Sequence, residues 1–157
     1  MSGSDGAAAD YWRQLRRFGE KPGLARIRFL MERLGHPETA YPAVHVAGTN
    51  GKGSTAAMIA SVLRAAGYSV GLFTSPHLVR YNERIVVDGA PIADEDLAAL
   101  FGRLHEHVEA AAREPGVGQP TEFEVGTAVA LAYFAQRAVD VAVVEVGLGG
   151  RFDSTNV

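Results

Sequence analysis

Ala43-Val44-His45-Val46-Ala47-Gly48-Thr49-Asn50-Gly51-Lys52-Gly53-Ser54-Thr55 passes from a short β-type run (residues 43–47) through a glycine loop into a helical pattern. The helix is read over residues 55–66, where Met58, Ile59, Val62 and Leu63 share one face before Gly67 stops it. Residues 69–74 form a second apolar run. Together these pieces predict a β-helix-β unit, with a buried parallel strand lying beside the first and reached by a right-handed crossover. Glycines between strand and helix let backbone N–H groups turn toward phosphate oxygens, the helix start adds its positive dipole end, and Lys52 can reach the β- and γ-phosphates. Ser54 or Thr55 adds a hydroxyl near the phosphates or Mg2+. The loop is a variant of the strict G-x-x-x-x-G-K-[ST] pattern, because Val46 stands at the first glycine position and Gly53 follows the lysine.

Upstream, Leu24, Ile27, Leu30, Met31 and Leu34 recur at helical spacing, which predicts an amphipathic helix over residues 22–34 ended by Gly35 and Pro37. Downstream, Ile85–Val87, Asp88-Gly89 and Pro91-Ile92 predict a small hairpin, since Asp-Gly supplies the positive φ angles of a two-residue turn. Asp94 is expected to cap a helix running to Val108, and the Pro- and Gly-rich stretch 114–120 to be an exposed loop. Thr121-Glu122-Phe123-Glu124 fits a capping box opening a helix to about Ala138. Residues 140–146 then form an apolar strand interrupted only by Glu145, with Gly147, Gly149 and Gly150 following. Three such strands between helices predict an α/β sandwich with a mostly parallel sheet.

Composition narrows the function. The chain has 157 residues, 47% of them hydrophobic and 21% charged, which suits one soluble core and not two full domains. The formal net charge is −3, and no basic block is long enough to track a nucleic-acid backbone or an anionic membrane, so a small-molecule partner is favoured. With no cysteine, disulfides, thiolate metal sites and Cys nucleophiles are excluded, and the reducing cytoplasm is the expected compartment. The first ten residues lack the pattern of a secretory signal and read as a frayed tail; no apolar run approaches the roughly 20 residues of a membrane span.

The glycine loop 48–54 resembles the P-loop of the Mur-type ATP-dependent amide ligases, specifically that of folylpolyglutamate synthase and dihydrofolate synthase. Two further stretches are similar to the same family: Thr74-Ser75-Pro76-His77-Leu78-Val79-Arg80-Tyr81-Asn82-Glu83-Arg84-Ile85, and Glu145-Val146-Gly147-Leu148-Gly149-Gly150-Arg151-Phe152-Asp153-Ser154-Thr155-Asn156, with Phe152 and Ser154 where Leu and Ala are more usual. The resemblance implies a P-loop NTPase-like three-layer sandwich of the Mur ligase central-domain type. It implies ATP held by Gly48, Thr49, Asn50, Gly51, Lys52, Gly53, Ser54 and Thr55, with Lys52 and Glu145 catalytic and Mg2+ on Ser75 and Glu145. The reaction implied is ATP-dependent addition of L-glutamate to dihydropteroate or a reduced folate through an acyl phosphate. The pterin substrate is placed near Lys21, Pro22, Gly23 and Leu24, near Ser75, Pro76, His77 and Leu78, near Thr121 and Phe123, and near Asp153, Ser154 and Thr155.

The residues support these roles unevenly. Glu145 closes a run that otherwise reads as a buried strand, where an acid costs several kcal/mol unless compensated; a Mg2+ ligand is the economical explanation, with an exposed strand end or an ion pair as alternatives. Phe123 suits stacking on a flat ring and equally a place in the core, and Thr121 suits a helix cap as well as a ligand. His105 and His107, two apart on a helix, cannot face one metal, and His36 and His45 carry no partner pattern. The resemblance covers the N-terminal part of the ATPase domain of such an enzyme, so the rest of that domain and a second, C-terminal domain are expected to be missing, leaving the chain weakly active at best. The whole enzyme is expected to be monomeric. Another Mur-type amino-acid ligase, a different P-loop phosphotransferase, or a non-catalytic nucleotide- or folate-binding module are the competing readings.

Overall fold

Ile27, Leu30 and Met31 lie on one side of the first described helix, α1 (Ala25–Arg33), and all three are buried. Each such side chain contributes about 1.5–3 kcal/mol on leaving water. A computed structural model describes residues 23–157, so the expectations for Lys21, Pro22 and the tail 1–10 lie outside the described residues. After α1 come β1 (Ala43–Val46), α2 (Lys52–Ala65), β2 (Val70–Phe73), β3 (Ile85–Val87), β4 (Ala90–Pro91), α3 (Asp94–Arg113), α4 (Glu122–Gln136) and β5 (Val141–Glu145).

The five strands form one sheet in the order β1-β5-β2-β3-β4. The first three are parallel, with Ala43 opposite Ala142 and Val70 opposite Val141, whereas β3 and β4 add on antiparallel. This corrects the expectation that β2 lies beside β1. The segment 141–145 is apolar on both faces and buried along almost its whole length, so it takes the middle place of the three parallel strands, while β1 exposes three of its four residues at the edge. The hairpin follows its sequence: Val87 pairs with Ala90 around Asp88 (φ 51°) and Gly89 (φ 86°).

Helix α2 covers one face of the sheet and α4 the other, with α1 and α3 packed on α4, giving the three-layer α/β arrangement. The stripe that α2 buries is Ala56 and Ala60, flanked by half-buried Ile59 and Leu63; Met58 and Val62, expected on the buried face, are 62% and 68% exposed. The helix also starts at Lys52 rather than Thr55, so the lysine occupies the first turn.

Helix α4 is apolar all round and buried from Glu124 to Phe134, as a helix sandwiched between a sheet and two other helices must be. Its Phe134 lies flat against the backbone of β2 at Gly71, where an added Cβ would sit 2.7 Å from two ring carbons. The capping box forms as read, Thr121 Oγ1 accepting from Glu124 N and the Glu124 carboxylate from Thr121 N. That carboxylate also takes Arg26 Nε at 2.9 Å, which ties α1 to α4. Tyr41 donates its hydroxyl to Leu131 O at 2.8 Å; burial, with Glu38 nearby, pushes its phenol well above the usual range.

Two boundaries differ from the sequence reading. Helix α3 runs on to Arg113, and Asp94 is its first residue rather than its cap, because its carboxylate is engaged by Arg80 and Asn82. Helix α4 stops at Gln136, with Ala138 at φ 49° turning the chain toward β5.

Candidate nucleotide and metal site

Because β1, β5 and β2 run parallel, their carboxyl ends share one edge of the sheet, where α/β folds gather their ligands. The loop 47–51 leaves β1 there with every residue exposed, and Gly51 at φ 76° turns the chain into α2. Lys52 follows at once, and Thr55 N bonds Gly51 O at 2.9 Å as the helix closes its first turn. Five exposed loop residues thus lie next to a helix N-terminus, an end that favours negative charge.

Glu145, the last residue of β5, the middle one of the three parallel strands, is 5% exposed. Its Oε2 accepts from Ser75 N at 2.8 Å, which brings the two expected metal ligands together. On its other side lies Gly53, where a Cβ would stand 3.4 Å from the carboxylate. The absence of a side chain lets the first turn of α2 come down on the acid. Among the described residues no cation pairs with Glu145, although a buried carboxylate demands compensation. Mg2+ fits this donor set: it prefers oxygen, takes one or two protein ligands, and fills its other positions with water and phosphate oxygens.

The segment after β2 is held in place. Glu83 accepts from the backbone N–H groups of Leu78, Val79 and Arg80 at 2.8 to 3.4 Å. These bonds, led by Arg80 and Leu78, hold its carboxyl below the usual range. Asp94 is likewise held low, first by the Asn82 amide and then by Arg80. His77 is anchored as well, its Nδ1 accepting from Arg84 Nε at 2.9 Å and its ring 5.6 Å from that of Tyr81. Leu78 and Val79 project outward, 94% and 81% exposed.

The loop after β5 is organised by Asp153, which is buried and accepts from Leu148 N, Thr155 N and Thr155 Oγ1. Ser154 is buried too, its hydroxyl 3.2 Å from that of Thr127, so the polar group at a usual Ala position is satisfied by α4. Phe123 is half-buried between these uses: its ring lies over Gly147 and 5.9 Å from Phe73. The Thr121 hydroxyl is spent on its helix cap. Gly23 and Leu24 lie at the start of α1.

Sequence reasoning missed Glu83, Arg84 and His45. Glu83 had a readable signal, an acid three residues into a turn that starts at Arg80, which is half a capping box. His45 had none, since its partner Thr155, 2.7 Å away, lies 110 positions further on. His105 is exposed on α3, and among the described residues no group of three His, Asp or Glu side chains gathers to hold a metal unaided.

No family model matches the chain. Over 142 residues it is 58% identical to the dihydrofolate synthase/folylpolyglutamate synthase of Bacillus subtilis, an overlap of 90% of this chain and 33% of that protein. It belongs to that family. The folylpolyglutamate synthase of Mycobacterium tuberculosis, solved as a complex with ADP, superimposes on 98% of the chain with a TM-score of 0.89 at 40% identity, using 35% of its own length. A folylpolyglutamate synthase solved with AMPPCP and folate does so over 97% with a TM-score of 0.88 at 44% identity, using 37% of its length. The chain spans about a third of the length of each of these relatives. Among the described residues no helix is long and apolar enough to cross a membrane.

Proposed function

We propose that the chain is the nucleotide-binding portion, the N-terminal part of the ATPase domain, of a cytoplasmic, monomeric ATP-dependent ligase that joins L-glutamate to dihydropteroate or a reduced folate. The observation that carries this is the meeting of the glycine loop, Ser75 and Glu145 at one edge of the sheet, with Gly53 leaving room for the acid. The relatives solved with ADP, and with AMPPCP and folate, support the same reading.

Amide formation from a free acid is uphill in water, so the carboxylate must first be activated. Loop N–H groups at 48–53 would cradle the phosphates, and Lys52 would stabilise charge on the γ-phosphoryl as it passes to the pterin-linked carboxylate. Glu145 and Ser75 would hold Mg2+, which when bound neutralises phosphate charge. The carboxylate oxygen bonds to phosphorus as ADP leaves; the glutamate amine then attacks the acyl carbon, loses a proton and expels phosphate. Catalysis of this kind is positioning and electrostatics, and it needs neither a thiol nor a Ser/His/Asp triad.

Calorimetry with Mg-ATP on the purified chain tests the reading. Saturable binding that Lys52→Ala weakens at least tenfold is expected, and no binding by the wild-type chain would overturn it. Should ADP be released, stimulation by dihydropteroate or tetrahydrofolate but not by muramyl nucleotides separates folate chemistry from that of other Mur-type ligases.

A further inference from the structure

Three side chains are joined in series by hydrogen bonds. Thr155 Oγ1 lies 2.5 Å from Asp153 Oδ1 and His45 Nε2 lies 2.7 Å from Thr155 Oγ1. A carboxylate only accepts, so the threonine hydroxyl donates to Asp153 and its oxygen accepts from the imidazole. The direction is thus His45 Nε2–H to Thr155 to Asp153.

His45 sits three residues before Gly48, on the strand that delivers the phosphate-binding loop. Val46 packs toward α2, so strand alternation puts His45 on the other face, where loop 147–155 also meets Thr127 of α4. That loop has glycines at 147, 149 and 150, and its fixed points are Asp153 within it and Ser154 on Thr127 of α4. Among the described residues, His45 is the one side chain that bonds it to β1.

We propose that His45 is a positioning residue that makes the placement of Asp153, Ser154 and Thr155 depend on how the nucleotide loop is seated. It touches neither reacting group; it acts through Thr155. An occupied phosphate loop stiffens the end of β1, and the imidazole passes that constraint to the loop proposed to contact the pterin substrate. The inference rests on the proposed reading of 48–55 as the nucleotide site.

Amide exchange by NMR or mass spectrometry tests it on the chain itself, following Leu148 and Thr155, whose N–H groups donate to Asp153. His45→Ala should speed exchange at both about tenfold, and Thr155→Val should do the same at Leu148. The double variant should be no worse than either single. His45→Gln, whose amide can donate from near the Nε2 position, should restore most of the protection. Mg-AMPPCP should slow exchange at these two amides in the wild type and in His45→Gln but not in His45→Ala. Unchanged exchange in His45→Ala, or the same nucleotide-induced slowing in it as in the wild type, overturns the inference. A wild-type chain that binds no Mg-AMPPCP overturns the nucleotide reading instead, a distinguishable result.

Discussion

Gly71→Ala places a methyl group where β2 meets Phe134. The new carbon would stand 2.7 Å from Cγ and Cδ1 of the ring, about 0.8–1.3 Å inside normal carbon contact. The ring cannot swing away, being fully buried and in an edge-on contact with Tyr41, the two ring centroids 6.2 Å apart. The strand is also pinned, by β5 on one side and β3 on the other. Overpacking of this kind costs about 1–3 kcal/mol, against which the better strand propensity of Ala offsets only a few tenths. With a urea m-value of about 2 kcal/mol/M, the midpoint should fall by about 0.5–1.5 M without a change in slope. Phe134→Leu alone should cost about 1–2 kcal/mol as ring volume is lost, yet combined with Gly71→Ala it should relieve the clash. The double variant should therefore be more stable than the sum of the singles by at least about 0.5 kcal/mol. Wild-type stability in Gly71→Ala, or strict additivity in the pair, would refute the claim that α4 docks on the sheet through the bare backbone of Gly71.

Glu145→Gln keeps an acceptor for Ser75 N but removes a buried charge, so urea denaturation should show equal or slightly greater stability while calorimetry shows the Mg2+-dependent part of nucleotide affinity lost. Thr121→Ala removes the cap of α4 and should cost about 1 kcal/mol in thermal unfolding. The depressed carboxyl of Glu83 supports loop 78–80 fully above its ordinary value of 4.5, and that support drains away as pH falls through the lower folded-state value. Exchange at amides 78–80, compared with Glu83→Gln over the same acid range, should show protection converging as pH drops; a constant gap would contradict the assignment.

Local features were readable because their causes are local. The glycine loop, the Asp88-Gly89 turn and the Thr121–Glu124 box each depend on residues within a few positions. Strand order was not readable: apolarity shows that 141–145 is buried, but only the competition among three strands for the centre decides where it goes. The exposure of Met58 and Val62 was hidden for a related reason, since helical periodicity shows a face without showing what lies opposite it. In the proposed site, Lys52 and Glu145 were singled out by residue type and position and Ser75 by the family resemblance, whereas His45 and Arg84 matter through partners that folding supplies.

The placement of β5 bears on how the chain assembles. β1 and β2 share no ladder; each hydrogen-bonds to β5, the last of the described strands in sequence. During synthesis the glycine loop therefore emerges on a strand whose neighbour does not yet exist, and every parallel contact waits for residues 141–145. Glu145 arrives in that same segment, so the strand that completes the sheet also delivers the acid of the proposed metal site. Until then α2 has only β2, with its β3–β4 hairpin, and an unpaired β1 to pack against, and a nascent chain stopped before Val141 would leave the proposed metal site without its acid.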